Sequence, residues 1–178
     1  MTLATGMKMK KQTAGTSVGV IGLGIMGSSI AANLQASGFH VTGIEVNPAA
    51  RQKMSGRIAK VGSAPRALIG KTGLIVTSLP SVAALMAVCE ELAAEATAQG
   101  LAKGSVVLAE TSTLPMDDKQ VARKLLAKAG IKMIDTPLSG TGAQARTRDL
   151  TVYASGEAAA IGRMMEVFKG FSRAQFSV

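Results

Sequence analysis

The chain has 178 residues, 47% of them apolar and 17% charged, which is enough for one domain with a buried core and too apolar for a disordered segment. Four Phe, one Tyr and no Trp exclude an aromatic platform for single-stranded nucleic acid, and one Cys with one His excludes a structural zinc site or a disulfide framework. The net charge of +9 is spread without any run of five or more cations, a diffuse field that attracts small anions as readily as nucleic acid.

In chain order, residues 1–15 carry Lys8, Lys10 and Lys11 and read as a basic leader ahead of a single domain, 16–178. Between Lys11 and Glu45 no side chain is charged, but seven Gly together with Asn33, Gln35 and His40 interrupt the stretch, which excludes a membrane-spanning helix. The early apolar run is also too short for a secretory signal. A run over 17–23 predicts a strand buried on both faces. The apolar spacing of Ile25, Met26, Ile30, Ala31 and Leu34 predicts a helix over 25–37, stopped by Gly38. Residues 40–46 alternate as a second strand, and Asn47-Pro48 opens a helix with an N-cap and a first-turn proline.

The alternation continues with a weak strand at 57–61 and a stronger one at 73–79. Ser81 caps a helix over Val82–Ala98, where Cys89 falls on the apolar stripe as a small core residue. A strand at 105–109 precedes a helix at 115–129, whose Asp117 and Asp118 come early and whose Lys128 comes late, as the helix dipole favours. Strands follow at 131–135 and 150–154, then a helix at 156–168 and a last strand at 174–178. Strands alternating with helices of this length predict an α/β fold: a Rossmann-type, doubly wound, mostly parallel sheet in one domain.

Gly22-Leu23-Gly24-Ile25-Met26-Gly27 has the G-x-G-x-x-G spacing, and it stands between a predicted strand and a predicted helix. Gly22 permits the tight turn, Gly24 lets a pyrophosphate approach the backbone, and Gly27 lets the helix pack closely on the sheet. The free N–H groups at the helix start then face the diphosphate. Glu45, at the end of the second strand, stands where a carboxylate reaches the adenosine ribose hydroxyls. It repels a 2′-phosphate and Val46 offers no cation for one, so the pattern favours NAD, with NADP as the alternative through Arg51 or Arg57.

Further motifs lie in order along the chain: Ala32-Asn33-Leu34 with Gly38, Ser78-Leu79-Pro80, Glu110-Thr111-Ser112-Thr113, and Asp135-Thr136-Pro137-Leu138-Ser139-Gly140. With the glycine turn they resemble the β-hydroxyacid dehydrogenases, the family of 3-hydroxyisobutyrate dehydrogenase, tartronate semialdehyde reductase and 6-phosphogluconate dehydrogenase. The resemblance implies that Gly22 to Gly27 hold the pyrophosphate, that Leu79 and Pro80 line the groove, and that Thr113 lies by the nicotinamide. It implies that Ser139 and Gly140 bind the substrate, a small anionic β-hydroxy acid. Neither a metal nor a nucleic-acid partner is expected, on the Cys and His count, the scattered cations and the scarce aromatics. Thr141 and Arg148 stand where the family has glycines, and Arg146 or Arg148 is a candidate contact for an acidic substrate.

The family's proton-transfer Lys lies on a helix after the nucleotide domain, followed by a helical domain that pairs subunits. Lys169 precedes the last predicted strand and does not match it. The expectation is therefore an NAD-binding domain of a cytoplasmic oxidoreductase that is active only as the full-length protein and homo-oligomeric through the missing domain. The alternatives are an imine reductase-like NADP-dependent enzyme and a non-catalytic dinucleotide-binding module.

Overall fold

The computed structural model describes residues 15–178, so the expected basic leader lies outside the described residues except for Gly15. Six parallel strands form the central sheet: β1 (Ser17–Ile21), β2 (His40–Ile44), β3 (Lys60–Gly62), β4 (Leu74–Thr77), β5 (Val107–Glu110) and β6 (Lys132–Asp135). Their order is β3-β2-β1-β4-β5-β6, which reverses direction of winding beside β1, as in a doubly wound sheet. The strands are nearly continuous apolar runs because both faces are covered; Val18, Val20, Ile75, Val76, Leu108 and Ala109 are all buried.

The helices are α1 (Ile25–Ala36), α2 (Pro48–Met54), α3 (Val82–Ala98), α4 (Met116–Lys128), α5 (Gly142–Arg146) and α6 (Ala158–Phe171). On one face, Ile30 and Leu34 of α1 pack with Val167, Phe168 and Phe171 of α6. On the other, Leu85, Cys89 and Leu92 of α3 pack with Ala122 and Leu126 of α4. Each buried Ile, Leu, Val or Phe among them contributes roughly 1.5–3 kcal/mol through the area it removes from water. The expected caps form: the Asn47 side chain accepts from the N–H of Ala49, and Ser81 Oγ accepts from the N–H of Ala84.

Several boundaries differ from expectation. The first strand ends at Ile21, since Gly22 takes φ +88° and turns the chain away. The weak strand is Lys60–Gly62 rather than 57–61, because Gly56 at φ +78° and the Arg57 N–H to Met54 carbonyl bond hold a turn first. Ile25 does not join the core and is 72% exposed at the head of α1, whereas Met26 is half-buried and packs against the core. The last helix runs on to Phe171, driven by burial of Phe168 and Phe171, which meet edge to face.

A second, three-stranded sheet was not legible as such. It has the order β7-β8-β9, from β7 (Leu138–Ser139), β8 (Thr151–Ala154) and β9 (Ala174–Ser177), with β7 antiparallel and β9 parallel to β8. Asp135 and Ser155 exchange two backbone hydrogen bonds and join this sheet to the end of β6. Among the described residues no helix is long and apolar enough to cross a membrane.

Candidate functional site

A cleft of about 570 Å³ opens at the carboxyl ends of β1, β2 and β4, the place where open α/β sheets receive ligands. It is lined by Gly22, Gly24, Ile25, Met26, Glu45, Leu79 and Pro80 from the expected set, and by Val46, Pro65, Ala84 and Val88 beyond it. The glycines differ in what holds them. A Cβ on Gly22 would lie 2.1 Å from the Ser78 carbonyl oxygen, and one on Gly27 would lie 1.8 Å from the Gly22 carbonyl oxygen. Gly24 has nothing within 4 Å of its Cβ position. Gly22 and Gly27 are therefore required by packing, whereas the bare space at Gly24 is open to a ligand.

Gly24 is the N-cap of α1, and no side chain caps that helix start. Its first-turn N–H groups and the positive end of its dipole so face the cleft, as an anion site requires. The Leu23 side chain is buried under the turn, while its N–H donates to Glu45 Oε2 at 2.8 Å. Glu45 Oε1 accepts from the Asn47 N–H at 2.9 Å. Two carboxylate oxygens offer about four acceptor sites, so the pair still has capacity for a diol. Arg51 Nη1 donates to the carbonyls of Glu45 and Val46, both at 2.8 Å, which clamps it on the strand end beneath the rim.

Thr113, Ser139 and Gly140 do not line this cleft; all three are exposed, on the segments that leave β5 and β7. The substrate-turn segment is nevertheless docked on the glycine-turn helix. Asn33 Nδ2 donates to the Ala145 carbonyl at 2.7 Å, and a Cβ on Gly142 would touch Ile25 at 2.6 Å. Thr141 is the N-cap of α5 in a capping box with Gln144. The Thr-x-x-Gln spacing was the available signal for that short helix.

Of the two candidate cations, Arg148 is engaged within the fold and Arg146 is not. Arg148 takes φ +61°, a left-handed conformation that suits the glycine of the family pattern, and its Nη2 donates to the Lys169 carbonyl at 2.8 Å. Lys169 pairs with Glu166 at 2.7 Å. Arg146 is exposed in the last turn of α5.

Sequence reasoning missed the charged cluster under the strand ends. Lys119 is 5% exposed, with its Nζ 2.8 Å from Glu110 Oε2 and 2.6 Å from Asp135 Oδ1. Burial pulls the Lys119 pKa down, but hydrogen bonds to Asp135 and Glu110 and attraction to both carboxylates outweigh it, leaving it above the usual lysine range. The signal was present: Lys119 shares the buried face of α4 with Ala122 and Leu126, at helical spacing. Cys89 is fully buried, and burial, with the nearby charges of Glu110 and Glu90, pushes its thiol up to about 12.

A family model described as the NAD binding domain of 6-phosphogluconate dehydrogenase matches residues 17–178. The chain is 30% identical over 161 residues to the L-threonate dehydrogenase of Pectobacterium atrosepticum, covering 88% of this chain and 51% of that protein. It is 30% identical over 141 residues to the mitochondrial 3-hydroxyisobutyrate dehydrogenase of Homo sapiens, covering 79% and 41%. Among solved structures, a 3-hydroxyisobutyrate dehydrogenase from Salmonella typhimurium superimposes with a TM-score of 0.81 at 25% identity, over 92% of this chain and 56% of that one. A Streptomyces aurantiacus imine reductase shares the fold, with a TM-score of 0.80 at 21% identity, over 92% and 55%. The chain spans about half the length of the curated relatives it matches.

Proposed function

This chain belongs to the β-hydroxyacid dehydrogenase family as its NAD-binding domain, and from that premise we propose that it holds NAD in the cleft beside β1 for oxidation of a small β-hydroxy acid by the whole enzyme. The observation that carries the cofactor reading is the bare space over Gly24 at the uncapped start of α1. The residues fit the group: a closely packed glycine turn, free helical N–H donors and an acceptor pair at the ribose position.

In this reading the N–H groups from Gly24 to Gly27 bind the pyrophosphate, and Leu23 is the hinge on which Glu45 is oriented. Glu45 accepts the ribose hydroxyls with the lone pairs that Leu23 and Asn47 leave open. A 2′-phosphate would meet that carboxylate while the Nη1 of Arg51 is held on carbonyls, so NAD is preferred to NADP. Leu79 and Pro80 form the apolar wall that excludes water, and Thr113 offers its hydroxyl beside the nicotinamide. Ser139 and the Gly140 N–H receive the carboxylate or hydroxyl of the acid. When bound, NAD supplies the hydride acceptor, and the protein supplies placement.

The proton acceptor is not among these roles. Lys119 is held by two carboxylates and Lys169 by one, so neither is a free base. Neither matches the Lys that the resemblance implies; the homo-oligomer follows from the same resemblance, and a cytoplasmic location fits the single Cys. Titrating the chain with NADH and NADPH while following nicotinamide fluorescence tests the cofactor; tighter NADH binding is expected, and no binding of either would overturn the reading. Hydroxyacid-dependent NADH formation by the whole enzyme, over a panel of short β-hydroxy acids, tests the reaction.

A further inference from the structure

The last residues of three neighbouring strands stand in one row, with Thr77 of β4 opposite Glu110 of β5 and Glu110 opposite Asp135 of β6. Each opens a segment given a role above: Ser78-Leu79-Pro80 after β4, Thr111 to Thr113 after β5, and Thr136 to Gly140 after β6. Residues in register on parallel strands present their side chains to the same face. Glu110 and Asp135 therefore place two carboxylates side by side, and Glu110 is fully buried.

One ammonium from α4 enters between them. Lys119 Nζ lies 2.8 Å from Glu110 Oε2 and 2.6 Å from Asp135 Oδ1, and it is itself buried. From this ion cluster hydrogen bonds run into all three segments. Glu110 Oε1 accepts from the Ser112 N–H at 2.8 Å, and Ser112 Oγ accepts from the Leu79 N–H at 2.8 Å. Thr111 Oγ1 donates to the Thr77 carbonyl, and Thr136 Oγ1 donates to the Glu110 carbonyl. The Asp135 backbone exchanges its two bonds with Ser155 of the second sheet.

We propose that Lys119 is a positioning residue: by neutralising Glu110 and Asp135 it holds the Leu79-Pro80 wall, Thr113 and the Ser139-Gly140 turn in one register under the nicotinamide end of the site. Its neighbourhood separates it from the other ion pairs. Lys132 with Glu157, Arg66 with Glu91 and Arg173 with Asp149 are exposed on the surface and bond into none of these segments. Without the ammonium, two adjacent carboxylates remain, and the buried one must take up a proton or move. Movement of Glu110 releases Ser112, and with it the Leu79 N–H. The glycine turn follows β1 and Glu45 follows β2; no hydrogen bond joins Glu45 to Lys119, Glu110, Asp135 or Ser112, and the turn meets the Ser78-Leu79-Pro80 segment where Gly22 packs on Ser78.

That division gives the test, which rests on the cofactor reading above. NADH spans both halves of the site, whereas AMP reaches only the Glu45 half. NADH dissociation constants are read by fluorescence and AMP by ligand-observed NMR, for the wild type, Lys119→Met and Lys119→Arg, all well below the unfolding temperature. The expected result is NADH weakened about tenfold in Lys119→Met with AMP within about twofold of wild type, and recovery in Lys119→Arg. Should Lys119→Met fail to fold, Glu110→Gln keeps the shape and is expected to lose NADH affinity selectively in the same way. Lowered thermal stability with both affinities unchanged would overturn the proposal alone. A wild-type chain that binds neither ligand would overturn the cofactor reading and this proposal with it.

Discussion

Leu23 and Glu45, 22 positions apart, are joined by a 2.8 Å hydrogen bond from the backbone N–H of one to Oε2 of the other. The bond fixes the carboxylate at the end of β2 against the glycine turn after β1, so the proposed diphosphate and ribose contacts would come preset in one geometry. The same bond gives Glu45 a structural part beside its proposed one, since its loss leaves the Leu23 N–H without its acceptor.

Glu45→Ala is therefore expected to weaken NADH by about 10- to 100-fold, the ~1.5–3 kcal/mol of hydrogen bonds to a charged acceptor. NADPH should change less, because it loses the repulsion of its 2′-phosphate along with the ribose contact. The ratio of the two dissociation constants, from paired fluorescence titrations, is the decisive quantity. An unaltered ratio would remove Glu45 from the site.

The three glycines of the turn give a second, sharper contrast. Gly24→Val places its side chain in open space, at a φ of −66° that any residue adopts, so stability should hold within roughly 0.5 kcal/mol while dinucleotide binding is lost. Gly27→Ala drives a Cβ to within 1.8 Å of the Gly22 carbonyl oxygen, backbone against backbone, and should cost upwards of about 4 kcal/mol. Thermal unfolding paired with NADH titration separates the two. Equal damage to stability by both would contradict the division of roles.

The parallel central sheet was legible because its strands are apolar runs and its helices have caps and periods. The turn and Glu45 were legible because glycine spacing and a carboxylate at a strand end carry their own physics. What escaped was non-local. Leu138–Ser139 is too short to show alternation, and it becomes a strand only through its partners on β8. Lys119 meets Glu110 and Asp135 only through the fold, which brings α4 over the ends of β5 and β6. The geometry also redirected two arginines, as Arg51 caps a strand end and Arg148 grips α6, neither readable from position alone.

Arg148 holds a left-handed φ of +61° and offsets that strain by donating to the Lys169 carbonyl near the end of α6. Arg148→Ala keeps the strain and loses the bond, whereas Arg148→Gly loses the bond and relieves the strain. The glycine variant should be the more stable of the two by about 1 kcal/mol, read from denaturant midpoints. The reverse order would mean that the side chain, not the backbone, governs this turn.

Cys89 lies on the buried face of α3 with its thiol pushed up to about 12, first by burial and then by the charges of Glu110 and Glu90. At pH 8 the native chain should hold almost no thiolate and react with iodoacetamide at least about 100-fold more slowly than a free cysteine. Fast alkylation in the native state would show that α3 opens locally. Alkylation that tracks denaturant would make this thiol a reporter of global unfolding.

Lys119 and Cys89 share one consequence for stability against pH. Both have folded pKa values raised above their unfolded ones, so the stability each contributes is complete below its unfolded value and is lost as pH rises through the folded one. Neither group gives a slope near neutrality. Stability should instead hold level there and decline on the alkaline side, the thiol acting first, from the ordinary thiol range up toward about 12, and the ammonium above the ordinary lysine range. Cys89→Ala should delay the onset of that decline, and Lys119→Met should lower the plateau while removing the later part of it. Urea midpoints taken at intervals from pH 7 upward check both; a decline that begins in wild type and in Cys89→Ala at the same pH would acquit the thiol and leave the Lys119 ammonium as the group that fails first.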